Sequence, residues 1–225
     1  MATTMSSVAG GAAQHVTTQR PPVRIVTATS LFDGHDAAIN IMRRVMQDHG
    51  AEVIHLGHNR SAQGIVRAAL QEDAHAIAVS SYQGGHIEFF SYLVDLLREN
   101  DAPHIRVFGG GGGVIVPAEA EQLHAYGVER IYSPEDGRAM GLSGMIEDLL
   151  ARAQGAPPEL DRTYDFAQPR ELAQFISAVE WAKAHDAEAL VRLVQQADPV
   201  AAGSSPGVLA QDVQATDQPA ERRRS

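Results

Sequence analysis

The stretch VRIVTATSLFDGHDAAIN, Val23 to Asn40, decides how the chain is read. It opens on a largely apolar, β-branched run, the pattern of a strand covered on both faces. Apolar residues then recur three and four apart at Ile39, Met42, Val45 and Met46, which predicts a helix. Between strand and helix stands Asp33-Gly34-His35-Asp36. An acid two residues before an imidazole has two readings. Asp-Gly is a common turn pair; alternatively, His35 is a ligand and Asp33 fixes its orientation.

Outward from this stretch the same alternation repeats. Strands are predicted at Val23–Ser30, Ala51–Gly57, Ala74–Ser81, Ile105–Gly110 and Arg130–Ser133. The second helix carries Ile65, Ala68 and Ala69, with Ser61 as its N-cap. The third carries Phe89, Leu93, Leu96 and Leu97. The fourth spans Ala118–Tyr126, opened by Pro117, and the fifth runs from about Gly137 to Ala153. Five β–α units in series predict an α/β fold: a doubly wound, flavodoxin- or Rossmann-like five-stranded parallel sheet.

That domain is expected over residues 23–153, after a flexible leader (1–22) rich in small residues, Gly and Pro. A Pro/Gly linker (154–168) follows, then a helical hairpin (169–197) and a disordered tail (198–225). The hairpin's apolar positions are Leu172, Phe175, Ile176 and Val179, then Ala189, Leu190, Leu193 and Val194, with Asp186 capping the second helix. It is too small to be stable alone, and its stretch near Phe175 and Trp181 is a candidate docking element.

Composition removes several function classes. At 225 residues and 44% hydrophobic the chain is globular, and its net charge of −10 argues against a nucleic-acid groove. The basic run Arg222–Arg224 is short and reads as a solvated tail. No apolar run approaches a membrane span and no secretory signal is present. Without cysteine there is neither a disulfide framework nor a thiolate metal site, and a cytoplasmic location is expected.

In doubly wound sheets, ligands bind beyond the carboxyl ends of the strands. Three unusual segments fall there: FDGHD after the first strand, SSYQGGH (Ser80–His86) after the third and GGGGGVIVP (Gly109–Pro117) after the fourth. Five consecutive glycines cost backbone entropy at every position, so close approach by something bulky and flat is expected. No dinucleotide or P-loop fingerprint is present. A response-regulator receiver would want acids and a lysine where this chain has glycines. A lone His is a poor zinc site, but one His suffices when a macrocycle supplies the metal's equatorial ligands.

Asp33-Gly34-His35, Ser80 and the glycine rim together resemble the D-x-H…S-x-L…G-G signature of cobalamin (vitamin B12)-binding domains. DGHDAAINIMRR, SSYQGGH and FGGGGGVIVP are most similar to the acyl-CoA mutase branch, nearer its isobutyryl-CoA than its methylmalonyl-CoA mutase members. The likeness covers about Val23 to Leu150. It implies that His35 displaces the cofactor's own dimethylbenzimidazole and ligates cobalt, that Asp33 hydrogen-bonds His35, and that Ser80 contacts the displaced base. It also implies that Gly109, Gly110, Gly111, Gly112 and Gly113 leave room for the nucleotide tail. Gly34, Asp36, Tyr82, Gln83, Gly84, Gly85 and His86 complete the implied cofactor-facing set. For His86 an exposed helix start is the simpler reading. Ala38 stands where the family has glycine and Tyr82 where it has leucine. Because the glycine run is long, Gly109–Gly110 or Gly112–Gly113 can take the family's positions.

The resemblance implies adenosylcobalamin as cofactor and a radical rearrangement of an acyl-CoA, with no catalytic residue in this chain itself. The acyl-CoA site belongs to a separate large subunit or domain, and fused members also carry a GTPase module; neither fits in Gln154–Ser225. The alternatives are a corrinoid protein for methyl transfer or a cobalamin carrier or sensor. Methyl-transfer proteins usually carry a helical bundle before the domain, and only 22 residues precede Val23 here.

Overall fold

A computed structural model describes residues 21–35 and 37–197; most of the expected leader (1–20), Asp36 and the expected disordered tail lie outside the described residues. The described chain runs β1 (Arg24–Thr29), α1 (Ala37–Asp48), β2 (Glu52–His55), α2 (Ala62–Gln71), β3 (Ala76–Ser80), α3 (His86–Glu99), β4 (Arg106–Gly110), α4 (Pro117–Tyr126), β5 (Arg130–Tyr132), α5 (Pro134–Ala153), α6 (Pro169–His185) and α7 (Ala187–Ala197). The strands form one sheet in the order β2-β1-β3-β4-β5, with every pairing parallel. This is the doubly wound α/β architecture expected from the repeat. The strands are a residue or two shorter at most ends than the apolar runs.

Strand alternation divides the core into two layers. Val26, Ala28, Ile77, Val79, Val107 and Ile131 face α2, α3 and α4, where Ile65, Phe90, Leu93 and Leu123 are fully buried. Ile25, Ala76, Ala78, Phe108 and Tyr132 face α1 and α5, meeting Met46, Met145, Ile146 and Leu149. β1 and β3 lie inside the sheet and are buried on both faces, which is why they read as continuous apolar runs.

Helix starts follow local chemistry. Ser61 Oγ accepts from Gly64 N–H at 3.2 Å, capping α2 as expected. α5 begins at Pro134, earlier than expected, because Ser133 and Asp136 form a capping box. Asp136 N–H donates to Ser133 Oγ at 3.2 Å, and Ser133 N–H donates to Asp136 Oδ2 at 2.8 Å. Gly141, at φ 68° and ψ 174°, then breaks α5 into two pieces.

The α6–α7 hairpin has its own small core of Tyr164, Ala178, Ala182, Ala189 and Leu193, with Phe175, Val179 and Leu190 against it. Asp186 Oδ1 accepts from Ala189 N–H at 2.9 Å, the expected cap. The buried stripe of α6 runs through Phe175, Ala178, Val179 and Ala182, so the expected Leu172 and Ile176 fall beside it and are exposed. Small alanines on that stripe let the two helices approach closely.

Candidate functional site

The chain passes from β1 out to β2 and then back across to β3, so the topological switch lies between the carboxyl ends of β1 and β3. The loop leaving β1 is fixed there from both neighbours. Phe32 N–H donates to Asn59 Oδ1 at 2.8 Å, and Gln83 Nε2 donates to the Phe32 carbonyl. Phe32 itself holds φ at 63°, a conformation that bulky residues adopt only under such constraint.

Inside this loop Asp33 is buried, and its carboxylate accepts three hydrogen bonds. His35 N–H and His35 Nδ1 reach Oδ1 at 2.9 and 2.8 Å, and Tyr82 N–H reaches Oδ2 at 2.5 Å. Burial alone would raise the Asp33 pKa, but the two backbone N–H groups and the imidazole outweigh it and hold the carboxyl below its usual range. An ionised carboxylate only accepts, so Nδ1 must carry the proton. In the neutral ring the lone pair is therefore on Nε2. The imidazole is 72% exposed while the Asp33 side chain is wholly buried. The geometry is thus more than a turn: a fixed acid orients an outward-facing nitrogen donor, the arrangement seen behind metal-bound histidines. Among the described residues no group of three or more His, Cys, Asp or Glu could hold a metal without such outside help.

Beside the loop, a cavity of about 370 Å³ opens between the sheet and the helices α1 and α5. Its walls are apolar: Ile39, Met42 and Met46 from α1, Met145, Ile146 and Leu149 from α5, with Ala78 and Phe108 as floor. Ser80 and Tyr82 stand at its edge, and Ala38, where the family has glycine, lines it. Tyr132 and Phe108 stack at 6.4 Å between ring centroids with a 19° interplanar angle. Burial and a 2.8 Å hydrogen bond to Asp148 push the Tyr132 hydroxyl pKa far upward, so it stays a donor. These wall residues were not singled out from sequence. The signal was the small residue at every second position of β3, Ala76, Ala78 and Ser80, which leaves space on one face.

The glycine run divides by position. Gly109 points to the opposite face, where an added Cβ would stand 2.4 Å from Phe90 Cζ. A Cβ on Gly111 would stand 2.3 Å from the Ser81 carbonyl oxygen, and one on Gly112, at φ +55°, 2.2 Å from the Tyr82 ring. Gly113 holds φ +98° in the turn and does not line the cavity. Gly110 shares the strand face of Phe108 and lines the cavity, with only ordinary contact at 3.5 Å for a Cβ. An added Cβ at Gly109, Gly111 or Gly112 would clash with protein atoms, yet all three line the cavity together with Gly110, so packing restricts these positions without removing them from its lining.

The remaining candidates sit around the rim. Gly34, Gly84 and Gly85 have open space where a Cβ would be, and Gly85 caps α3 with φ +81°. His86 is buried, against the reading of an exposed helix start. Its Nε2 lies 3.0 Å from Glu119 Oε2 and its Nδ1 3.2 Å from the Gln83 carbonyl, tying α3 to the start of α4. Tyr82 lies between the two halves of the site, its ring centroid 5.7 Å from that of His35.

Residues 23–135, half of the chain, match the family model described as B12 binding domain. The chain is 61% identical over 180 residues to the fused isobutyryl-CoA mutase of Cupriavidus metallidurans, covering 78% of this chain but 16% of that protein. It is 30% identical over 135 residues to the 2-hydroxyisobutanoyl-CoA mutase small subunit of Aquincola tertiaricarbonis, covering 60% of this chain and 96% of that one. A solved structure of a novel cobalamin-binding protein from Desulfitobacterium hafniense DCB-2 is 22% identical and covers 60% of each chain, with a TM-score of 0.48.

Proposed function

This chain belongs to the B12-binding domain family, and from that membership we propose that it is the cobalamin-carrying part of an acyl-CoA mutase, with His35 Nε2 as the cobalt ligand. The single observation that carries the reading is the buried Asp33 carboxylate holding His35 Nδ1 at 2.8 Å, which leaves Nε2 free and exposed.

The residues present fit the cofactor's two demands. A corrin supplies four equatorial nitrogens, so one protein ligand on one face is enough. The displaced base needs an apolar slot, and the cavity behind Ser80 falls in the ~300–1,000 Å³ range of small-molecule sites. When bound, adenosylcobalamin supplies a cobalt–carbon bond whose homolysis begins a radical carbon-skeleton rearrangement. Asp33 keeps the ligating tautomer in place, Tyr82 N–H holds Asp33, and Gly110 keeps the slot open.

The chain spans 16% of the fused relative it matches; in this reading the acyl-CoA site belongs to a separate large subunit or domain. That partner is a large mutase subunit or domain of the isobutyryl-CoA type, and a GTPase chaperone is the further partner. Similarity to a mutase small subunit supports a divided enzyme. Among the described residues no helix is long and apolar enough to cross a membrane.

The test is a resonance spectrum of the Co(II) cofactor bound to protein grown with ¹⁵N-histidine. A nitrogen hyperfine pattern that changes with the label, and is lost in His35→Ala, is expected. A pattern indifferent to the label removes His35 as ligand.

A further inference from the structure

Thr29 ends β1, directly below the loop that carries His35. It is fully buried, and its Oγ1 has no hydrogen-bond partner among the described residues. Its neighbours along β1 are satisfied. Thr27 Oγ1 lies 2.9 Å from His55 Nδ1, and Ser30 Oγ donates to Ser81 Oγ at 2.9 Å. The Thr29 backbone is also satisfied, its N–H donating to the Gly57 carbonyl at 3.0 Å and its carbonyl accepting from Arg60 N–H at 3.1 Å. The deficit is confined to one hydroxyl. Native chains rarely keep a buried polar atom unpaired, because its lost hydration is not returned.

The position of that hydroxyl indicates what it waits for. Alternation along β1 puts Thr29 on the face of Ile25, the face that packs towards α1 and α5. The parallel ladder sets it in register with Ser80, which lines the slot and whose Oγ also makes no hydrogen bond among the described residues. Two other hydroxyls of the slot are taken, Tyr132 donating to Asp148 at 2.8 Å and Ser133 to Asp136 at 3.0 Å, while the Tyr82 hydroxyl adds a polar atom at the rim. The deeper walls are aliphatic, thioether or aromatic, so polar atoms entering the slot are met at its rim, where Ser80 stands.

We propose that Thr29, which stands in register beside Ser80 but outside the slot's lining, is a positioning residue for the nucleotide tail of the bound corrinoid, its hydroxyl completing a hydrogen-bonding pair with Ser80. The inference rests on the cobalamin reading above and adds a residue to it. A base displaced from cobalt exposes the ring nitrogen that held the metal, and the tail also carries ribose and phosphate oxygens. A neutral hydroxyl pair suits such acceptors where a charged side chain would be costly to bury.

Absorbance titration of the whole chain with cobalamin and with cobinamide, the corrin lacking the nucleotide tail, tests this. Thr29→Val keeps the shape and removes the hydroxyl. Cobalamin affinity is expected to fall roughly 3- to 10-fold, the scale of one neutral hydrogen bond. Cobinamide affinity should be unchanged and Thr29→Ser should restore cobalamin binding. The cofactor-free melting temperature should hold or rise, since an unpaired polar atom is removed. Equal cobalamin affinity in wild type and Thr29→Val, or an equal loss for both corrinoids, overturns the inference alone. A wild type that takes up neither corrinoid overturns the cobalamin reading along with it.

Discussion

Gly109 and Phe90 share one space: a methyl group on Gly109 would stand 2.4 Å from Phe90 Cζ and 2.7 Å from Ile131 Cδ1. Phe90 is fully buried beneath α3, so it has nowhere to retreat. Gly109→Ala should therefore destabilise the protein by about 1–3 kcal/mol, the usual range for overpacking. Gly110→Ala should cost far less stability, since its Cβ makes only a 3.5 Å contact with the Tyr132 carbonyl. It should instead weaken cobalamin binding, because Gly110 lines the slot. Urea midpoints beside cobalamin titrations separate the two. Equal effects of both variants on stability would refute the division of the run.

Asp33 to Asn keeps the size of the side chain and removes its charge. The three hydrogen bonds to Asp33 come from donors, and an amide presents one acceptor oxygen and one donor NH₂ in their place. Either Tyr82 N–H or the His35 pair must then face a donor. Cobalamin affinity should fall roughly 10- to 100-fold, the scale of a change behind a metal-bound histidine, whereas His35→Ala should remove the cobalt–histidine bond outright. Titration by absorbance gives both numbers, and Asp33→Asn binding as tightly as wild type would remove the orienting role.

Much of the site was legible because chemistry and position coincided. Asp33, His35 and Ser80 fall where strands predicted from apolar runs must end, and those ends meet at one edge in any doubly wound sheet. The slot walls were not legible. Met42, Met145 and Leu149 look like ordinary core residues, and only the three-dimensional gap between α1, α5 and the sheet distinguishes them. The glycines were ambiguous for a related reason: a missing side chain looks the same in sequence whether a ligand or Phe90 fills its place. His86 was misplaced because nothing local announces Glu119, which lies 33 residues onward.

His75 makes stability depend on pH. Burial pushes its pKa down, the Arg24 charge adds to that, and Asp73 and Glu52 oppose it; His75 Nδ1 accepts the Arg24 backbone N–H at 2.9 Å. With the folded value below the ordinary ~6.5, the unfolded state binds more protons between the two values, so stability rises with pH there. It is complete above the ordinary value and declines as pH falls through it towards the folded one. His104 is shifted the same way and adds to the slope. Urea midpoints at about pH 7.5 and 5.5 should differ in wild type, and less in His75→Gln. An unchanged difference would show that His75 does not contribute.

Arg24 joins the sheet to the C-terminal hairpin. Its guanidinium group donates to Glu52 Oε2 at 2.8 Å, the Glu72 carbonyl at 2.8 Å, Ser177 Oγ at 3.1 Å and Glu180 Oε2 at 3.2 Å. The Arg24 side chain is 12% exposed, but Glu52 and Glu180 are 46% and 60% exposed, so water competes for those two bonds and weakens them. Charged hydrogen bonds of this kind contribute about 1.5–3 kcal/mol each at most, and they are not additive. Arg24→Ala should therefore destabilise the α6–α7 hairpin first, since Ser177 and Glu180 belong to α6. Arg170, which donates to the Asn100 and Asp101 carbonyls at 2.5 and 2.9 Å, is the second tie. Hydrogen exchange is expected to speed up across α6 and α7 in Arg24→Ala and further in the double variant, while β3 and β4 stay protected. Arg24→Lys should rescue only in part, because an ammonium cannot span the same partners. Exchange that accelerates equally in β3 and in α6 would show that the hairpin and sheet open as one unit and that Arg24 is not the joint between them.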